Sequence, residues 1–199
     1  MDKLNRNALY NVLQTLADRL RVKNSSHIQL VICGGSALIA LNLVSRTTGD
    51  VDVVALANRN GVLLSPVPFP EELIEAIHET AVLHGLSDDW LNNRPSSGEG
   101  GLFQEGLPEG LLNRAHMRQF GTHLTAYFID RFDQIHFKVY AAADSMGVHV
   151  NDLMELNPAS GELEQAARWC MTLDPSEEFR ITIQTMFKEL GYGDVAEKL

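Results

Sequence analysis

Residues 31–54 read VICGGSALIALNLVSRTTGDVDVV, and the reading of this stretch decides the fold. An apolar run ends in Gly34-Gly35-Ser36, a helix-like apolar segment follows, and a second apolar run carries Asp50 and Asp52. Side chains alternate along a strand, so carboxylates at i and i+2 project from one face. Held together they repel, and a hard divalent cation between them removes the repulsion. Mg²⁺ is held in this way, by one or two carboxylates with substrate phosphates completing its shell. The Gly34-Gly35-Ser36 turn ahead of a helix offers backbone N–H groups at which phosphates dock. Glycine turn and paired aspartates together point to chemistry on a nucleoside triphosphate (NTP).

On the N-terminal side, Leu4, Ala8, Leu9, Val12, Leu13, Leu16 and Leu20 recur at spacings of three and four, which predicts an amphipathic helix over 3–22. Asn24-Ser25-Ser26 breaks it, and 27–33 reads as a strand. Residues 36–44 read as a short, mostly buried helix, and 50–56 as a central strand, apolar apart from its two aspartates. On the C-terminal side, the proline-rich loop 65–70 delivers a helix from Glu71 to about His84, acidic in its first turn. Trp90-Leu91-Asn92 is expected to form a short helical turn. Residues 93–110, rich in Gly and Pro, read as a solvated flexible loop; the run follows no strand and opens no helix, which argues against a phosphate loop. A third strand is expected over 123–129, then helices at 131–143, 148–156, 160–172 and 175–190, with Gly191 as a C-cap. The expected class is α+β with an α/β core: a small mixed sheet within residues 1–130, followed by a helical C-terminal region, 131–199, packed on it.

At 199 residues and 45% hydrophobic content the chain is long enough for a medium domain with a helical appendage. No run of 18 apolar residues is present, so no transmembrane helix is expected, and the N-terminus lacks the apolar core of a secretion signal. Cys33 and Cys170 lie far apart and form no metal-type pair; buried thiols in a reducing cytoplasm are the expectation. The formal charge of −10 argues against a general nucleic-acid binder that works by phosphate neutralisation. It leaves room for a nucleotide or an RNA end held locally, because a bound metal supplies its own positive charge. The seven histidines show no metal-ligand spacing.

A strand ending in Gly34-Gly35-Ser36, a helix, then Asp50-Val51-Asp52 resembles the nucleotidyltransferase superfamily that includes DNA polymerase β. Thirteen positions, 37–49, separate Ser36 from Asp50, at the long end of that family's spacing. The lead-in Arg46-Thr47-Thr48-Gly49 is similar to that of the bacterial branch containing the AbiEii-type toxins of type IV toxin–antitoxin systems. That branch carries a Lys on one helix and an Asp early in the next, which Lys138 and Asp152 resemble. The resemblance implies a nucleotidyltransferase fold and transfer of a nucleoside monophosphate from an NTP to an acceptor hydroxyl on RNA, protein or a small molecule. An antitoxin protein is the implied partner. Asp50 and Asp52 would hold Mg²⁺ against the NTP; Gly34, Gly35 and Ser36 would contact its phosphates; Arg46 would face the nucleotide or neutralise the aspartates. Lys138 would offset developing phosphate charge, and Asp152 would orient Lys138 or act as a base. One departure is visible: metal-dependent members place a third carboxylate on a later strand, and residues 122–128 contain none. Asp130, past the end of that strand, reads as a helix N-cap. Two other readings stand beside the enzyme: a catalytically silent copy of the fold serving as a nucleotide-binding or regulatory module, and an unrelated α+β domain carrying a coincidental motif.

Overall fold

The computed structural model describes residues 3–145 and 147–199; Met1 and Asp2 of the N-terminal stretch lie outside them. The protein is α+β, and it divides into two compact units, Met1–Asp130 and Arg131–Leu199.

The first unit is organised by a six-stranded mixed sheet. Its strands are β1 (Ile28–Cys33), β2 (Val51–Ala57), β3 (Leu63–Leu64), β4 (Leu91–Asn92), β5 (His116–Phe120) and β6 (Leu124–Phe128). The order is β3-β2-β1-β6-β5, with β4 also pairing β2. β1 runs antiparallel to β2 and parallel to β6, while β5 and β6 form an antiparallel pair. A long amphipathic helix, α1 (Arg6–Val22), covers one face, burying Leu9, Leu13, Leu16 and Leu20 completely. Its Tyr10 ring lies 6.0 Å from Phe120 and 6.2 Å from Phe128, while Arg118 on β5 stacks over the same ring at 3.9 Å. α1 begins where Asn5 Oδ1 accepts from the Ala8 N–H, an N-cap bond. α3 (Glu71–His84) packs beside it and ends at Gly85, whose φ of +64° is the left-handed cap glycine tolerates best. α2 (Gly34–Ala40) joins β1 to β2.

Three expectations need correction here. The short buried helix starts at Gly34 and stops at Ala40, because Asn42 takes a positive φ of 55° and turns the chain out of it. Trp90-Leu91-Asn92 is not a helical turn. Trp90 is fully buried, its indole donates to the Ile77 carbonyl at 3.1 Å, and its own carbonyl accepts from Val51 N–H at 2.6 Å. Those anchors lay Leu91 and Asn92 alongside β2 as a parallel strand. Nor is 93–110 simply a solvated loop: it holds a 3₁₀ turn, Arg94–Ser96, the short helix α4 (Leu102–Glu105), and the buried residues Ser96 and Leu102. Ser96 Oγ donates to the Val54 carbonyl at 2.7 Å, and a Cβ on Gly101 would lie only 2.6 Å from the Ser96 carbonyl oxygen. That glycine permits a close packing of backbone on backbone. A further short helix, α5 (Leu111–Arg114), leads into β5.

The second unit is helical: α6 (Arg131–Asp144), α7 (Val148–Glu155), α8 (Ser160–Leu173), α9 (Glu177–Glu189) and α10 (Gly193–Ala196). α6 packs on α7, α8 and α9. Arg131 ties the helix ends together, donating to the carbonyls of Leu156 and Asn157 and forming a two-pronged pair with Glu162 at 2.6 and 3.0 Å. This pairing holds the Glu162 carboxyl below its ordinary range. Trp169 stacks on Phe137 at 5.7 Å. Cys170 is buried, and burial pushes its thiol well above the usual thiol range; Cys33 is buried as well. Among the described residues no helix is long and apolar enough to cross a membrane.

Candidate functional site

The glycine turn and the two aspartates come together at one end of the sheet. Antiparallel pairing sets Asp52 opposite Cys33, so the residue after Cys33 meets the Asp52 carboxylate. Gly34 has a φ of +65°, and a Cβ built on it would stand 2.7 Å from Asp52 Oδ2. The carboxylate therefore rests on bare backbone. Gly35 plays the same part for the lead-in: its Cβ would lie 2.9 Å from an Arg46 guanidinium nitrogen and 3.0 Å from Thr48 Oγ1. Thr48 is fixed in turn by paired backbone bonds with Leu4, at 2.7 and 3.0 Å, and its hydroxyl donates to Asp50 Oδ1 at 3.2 Å. Asp50, which stands just before β2 rather than within it as expected, and Asp52 are both partly accessible, and Val51 between them is buried.

Ser36 is placed differently from its neighbours. It is fully buried, and its hydroxyl donates to the Cys33 carbonyl at 3.1 Å. Whatever the turn offers a phosphate comes from backbone and from flanking side chains. The sequence reading missed Arg94, whose guanidinium lies 3.3 Å from Asp50 Oδ2 and also pairs with Asp89. It passed over Asn92 as well, which β4 sets in register with Asp52. A two-residue strand has no periodicity to betray it; the available signal was the apolar pair Trp90-Leu91 directly before two asparagines and an arginine.

Lys138 and Asp152 lie in the second unit. They meet each other, Nζ to Oδ2 at 2.8 Å, with side chains only 6% and 1% exposed. Of the two roles the resemblance implies for Asp152, orienting Lys138 is the one that this contact serves. Asp130, immediately before α6, has its carboxylate 2.9 Å from His116 Nε2. β6 carries no carboxylate.

Among the described residues no group of three or more His, Cys, Asp or Glu side chains is arranged to hold a metal ion. Asp50 and Asp52 supply two hard oxygen donors. That donor set fits Mg²⁺ brought in with a polyphosphate, whose oxygens and waters fill the remaining positions, and not a resident ion caged by protein alone. No protein-family model, no curated protein and no solved structure matches this chain.

Proposed function

We propose that the protein is a nucleotidyltransferase that binds an NTP with Mg²⁺ at the Gly34–Asp52 end of the sheet and transfers a nucleoside monophosphate to an acceptor hydroxyl, whose oxygen bonds to the α-phosphorus as pyrophosphate leaves. The observation that carries this reading is the seating of the Asp52 carboxylate on the Gly34 backbone, with Asp50 one alternation away and Arg46 against Gly35. Two carboxylates beside a side-chain-free turn form a place where a metal-bound phosphate chain can approach the main chain closely. Bound Mg²⁺ would polarise the phosphoryl oxygens and offset the charge met by an incoming nucleophile. The protein's own contribution is positional. Asp50 and Asp52 fix where that charge sits, Thr48 orients Asp50, and Arg46 balances the two carboxylates. Lys138 and Asp152 enter as a buried pair that fixes α7 on α6. The acceptor classes are RNA, protein and small molecules, and an antitoxin-like protein is the proposed partner. Two buried thiols suit a cytoplasmic setting.

The test is incubation with each of the four α-labelled NTPs, Mg²⁺, and total RNA or total protein as acceptor, with Asp52→Ala run alongside. Metal-dependent label on one acceptor class, lost in Asp52→Ala, is the expected result. Equal labelling by Asp52→Ala contradicts the proposal. A second reading, a nucleotide-binding module without transfer, is favoured by the lack of a carboxylate on β6. Metal-dependent NTP binding with no transfer to any acceptor selects it.

A further inference from the structure

Asn92 and Arg94 stand in an arrangement that the fold alone does not explain. β4 pairs with β2 so that Asn92 is the register partner of Asp52, which puts the two side chains on the same face of the sheet. Asn92 is 7% exposed. Its Oδ1 accepts from the Arg94 backbone N–H at 3.0 Å, which fixes which end of the amide is nitrogen. That nitrogen, Nδ2, has no hydrogen-bond partner among the described residues. A buried donor left unmatched is destabilising, and native folds seldom keep one without a use for it. Two residues on, Arg94 reaches back to Asp50 at 3.3 Å. Its side chain is 59% exposed, so it can leave that contact without disturbing the packing. Arg94 is thus a cation in contact with Asp50, and it holds Asp89 at the same time.

Building on the triphosphate reading above, we infer that residues 92–94 form a ligand-sensing arm of this site. Asn92 Nδ2, enclosed in this structure, donates to an oxygen of the bound triphosphate beside Asp52 when binding uncovers it. Arg94 is the internal counter-ion of Asp50: a divalent cation displaces it, and it then pairs with the phosphates the cation carries. Metal and arginine compete for one carboxylate but cooperate on the polyphosphate. Removing Arg94 therefore moves the two affinities in opposite directions, which loss of a merely structural residue does not do.

The experiment is calorimetric titration of the 199-residue chain with Mg²⁺ alone, with Mg²⁺ plus ATP, and with Mg²⁺ plus inorganic tripolyphosphate. In Arg94→Ala, Mg²⁺ alone binds about 2- to 5-fold tighter, the scale of an exposed ion pair relieved. Both polyphosphates bind about tenfold weaker, the scale of one charge-assisted hydrogen bond lost. Arg94→Lys keeps part of that affinity. Asn92→Leu weakens both polyphosphates about tenfold and leaves Mg²⁺ alone unchanged. If ATP weakens in these variants while tripolyphosphate does not, the contacts are to the nucleoside and the inference is wrong. It is also overturned if wild type binds Mg²⁺ with ATP but Arg94→Ala shifts both affinities the same way or neither. A wild-type chain that binds none of the three probes overturns the triphosphate reading itself, and the inference with it.

Discussion

A single methyl group is the measure of the Gly34–Gly35 turn. Each glycine is pressed by a charged side chain from elsewhere in the chain, Asp52 on one and Arg46 on the other. Gly34 also takes a left-handed backbone, which costs an L-residue roughly 1–2 kcal/mol. Gly34→Ala is expected to lower stability in urea unfolding by at least about that amount. Because the new Cβ would stand 2.7 Å from Asp52 Oδ2, it is also expected to push the carboxylate off its seat and weaken metal-dependent nucleotide binding. A Gly34→Ala chain with wild-type stability and binding contradicts this account of the turn. The paired glycines were visible in the sequence, but their reading there was one-sided, as room for a phosphate. What the sequence hid was that the same bareness is used by Asp52 and Arg46, since a close approach between residues distant along the chain leaves no trace in local pattern.

At the scale of elements, legibility followed periodicity. α1, α3 and α6 to α9 repeat apolar residues at helical spacing, and their expected spans fall close to the observed ones, whereas the one-turn α10 was not expected. β1 and β2 were legible as dense apolar runs. β4 and β5 were not. β4 is two residues long, and it exists because Trp90 is anchored on both sides. β5, reading HMRQF, is an exposed edge strand whose first four residues face water, so it has no alternation to recognise. The site lost Asn92 and Arg94 for the same reason, because only strand register brings them to the aspartates. In the second unit, the Lys138–Asp152 pair joins α6 to α7 with both charges out of water. Lys138→Met is expected to destabilise by roughly 3–5 kcal/mol, because it leaves the Asp152 charge buried without its ammonium. Lys138→Met combined with Asp152→Leu is expected to recover most of that loss in the same denaturation experiment. A single substitution as mild as the double one contradicts the assignment of this pair as a buried ion pair holding α7 on α6.

At the scale of the whole molecule, an acidic chain of net charge −10 gathers a small positive set, Arg46 and Arg94, around two aspartates at one end of a mixed sheet. The net charge opposes polyanions, so the proposed affinity for a triphosphate rests on that place and on the Mg²⁺ the proposal puts there. The sequence carried the glycine turn and both aspartates in one contiguous stretch, and for that reason their meeting was readable. The pairing of Lys138 with Asp152 was readable only by resemblance, and its burial was not. The central claim is that Asp50 and Asp52 bind a divalent metal together with an NTP, and equilibrium titration of each NTP into the chain with and without Mg²⁺ tests it most directly. Saturable binding that requires Mg²⁺ in wild type and is lost in Asp50→Ala/Asp52→Ala is the predicted result. Nucleotide binding that is absent, or that persists unchanged in the double variant, contradicts it.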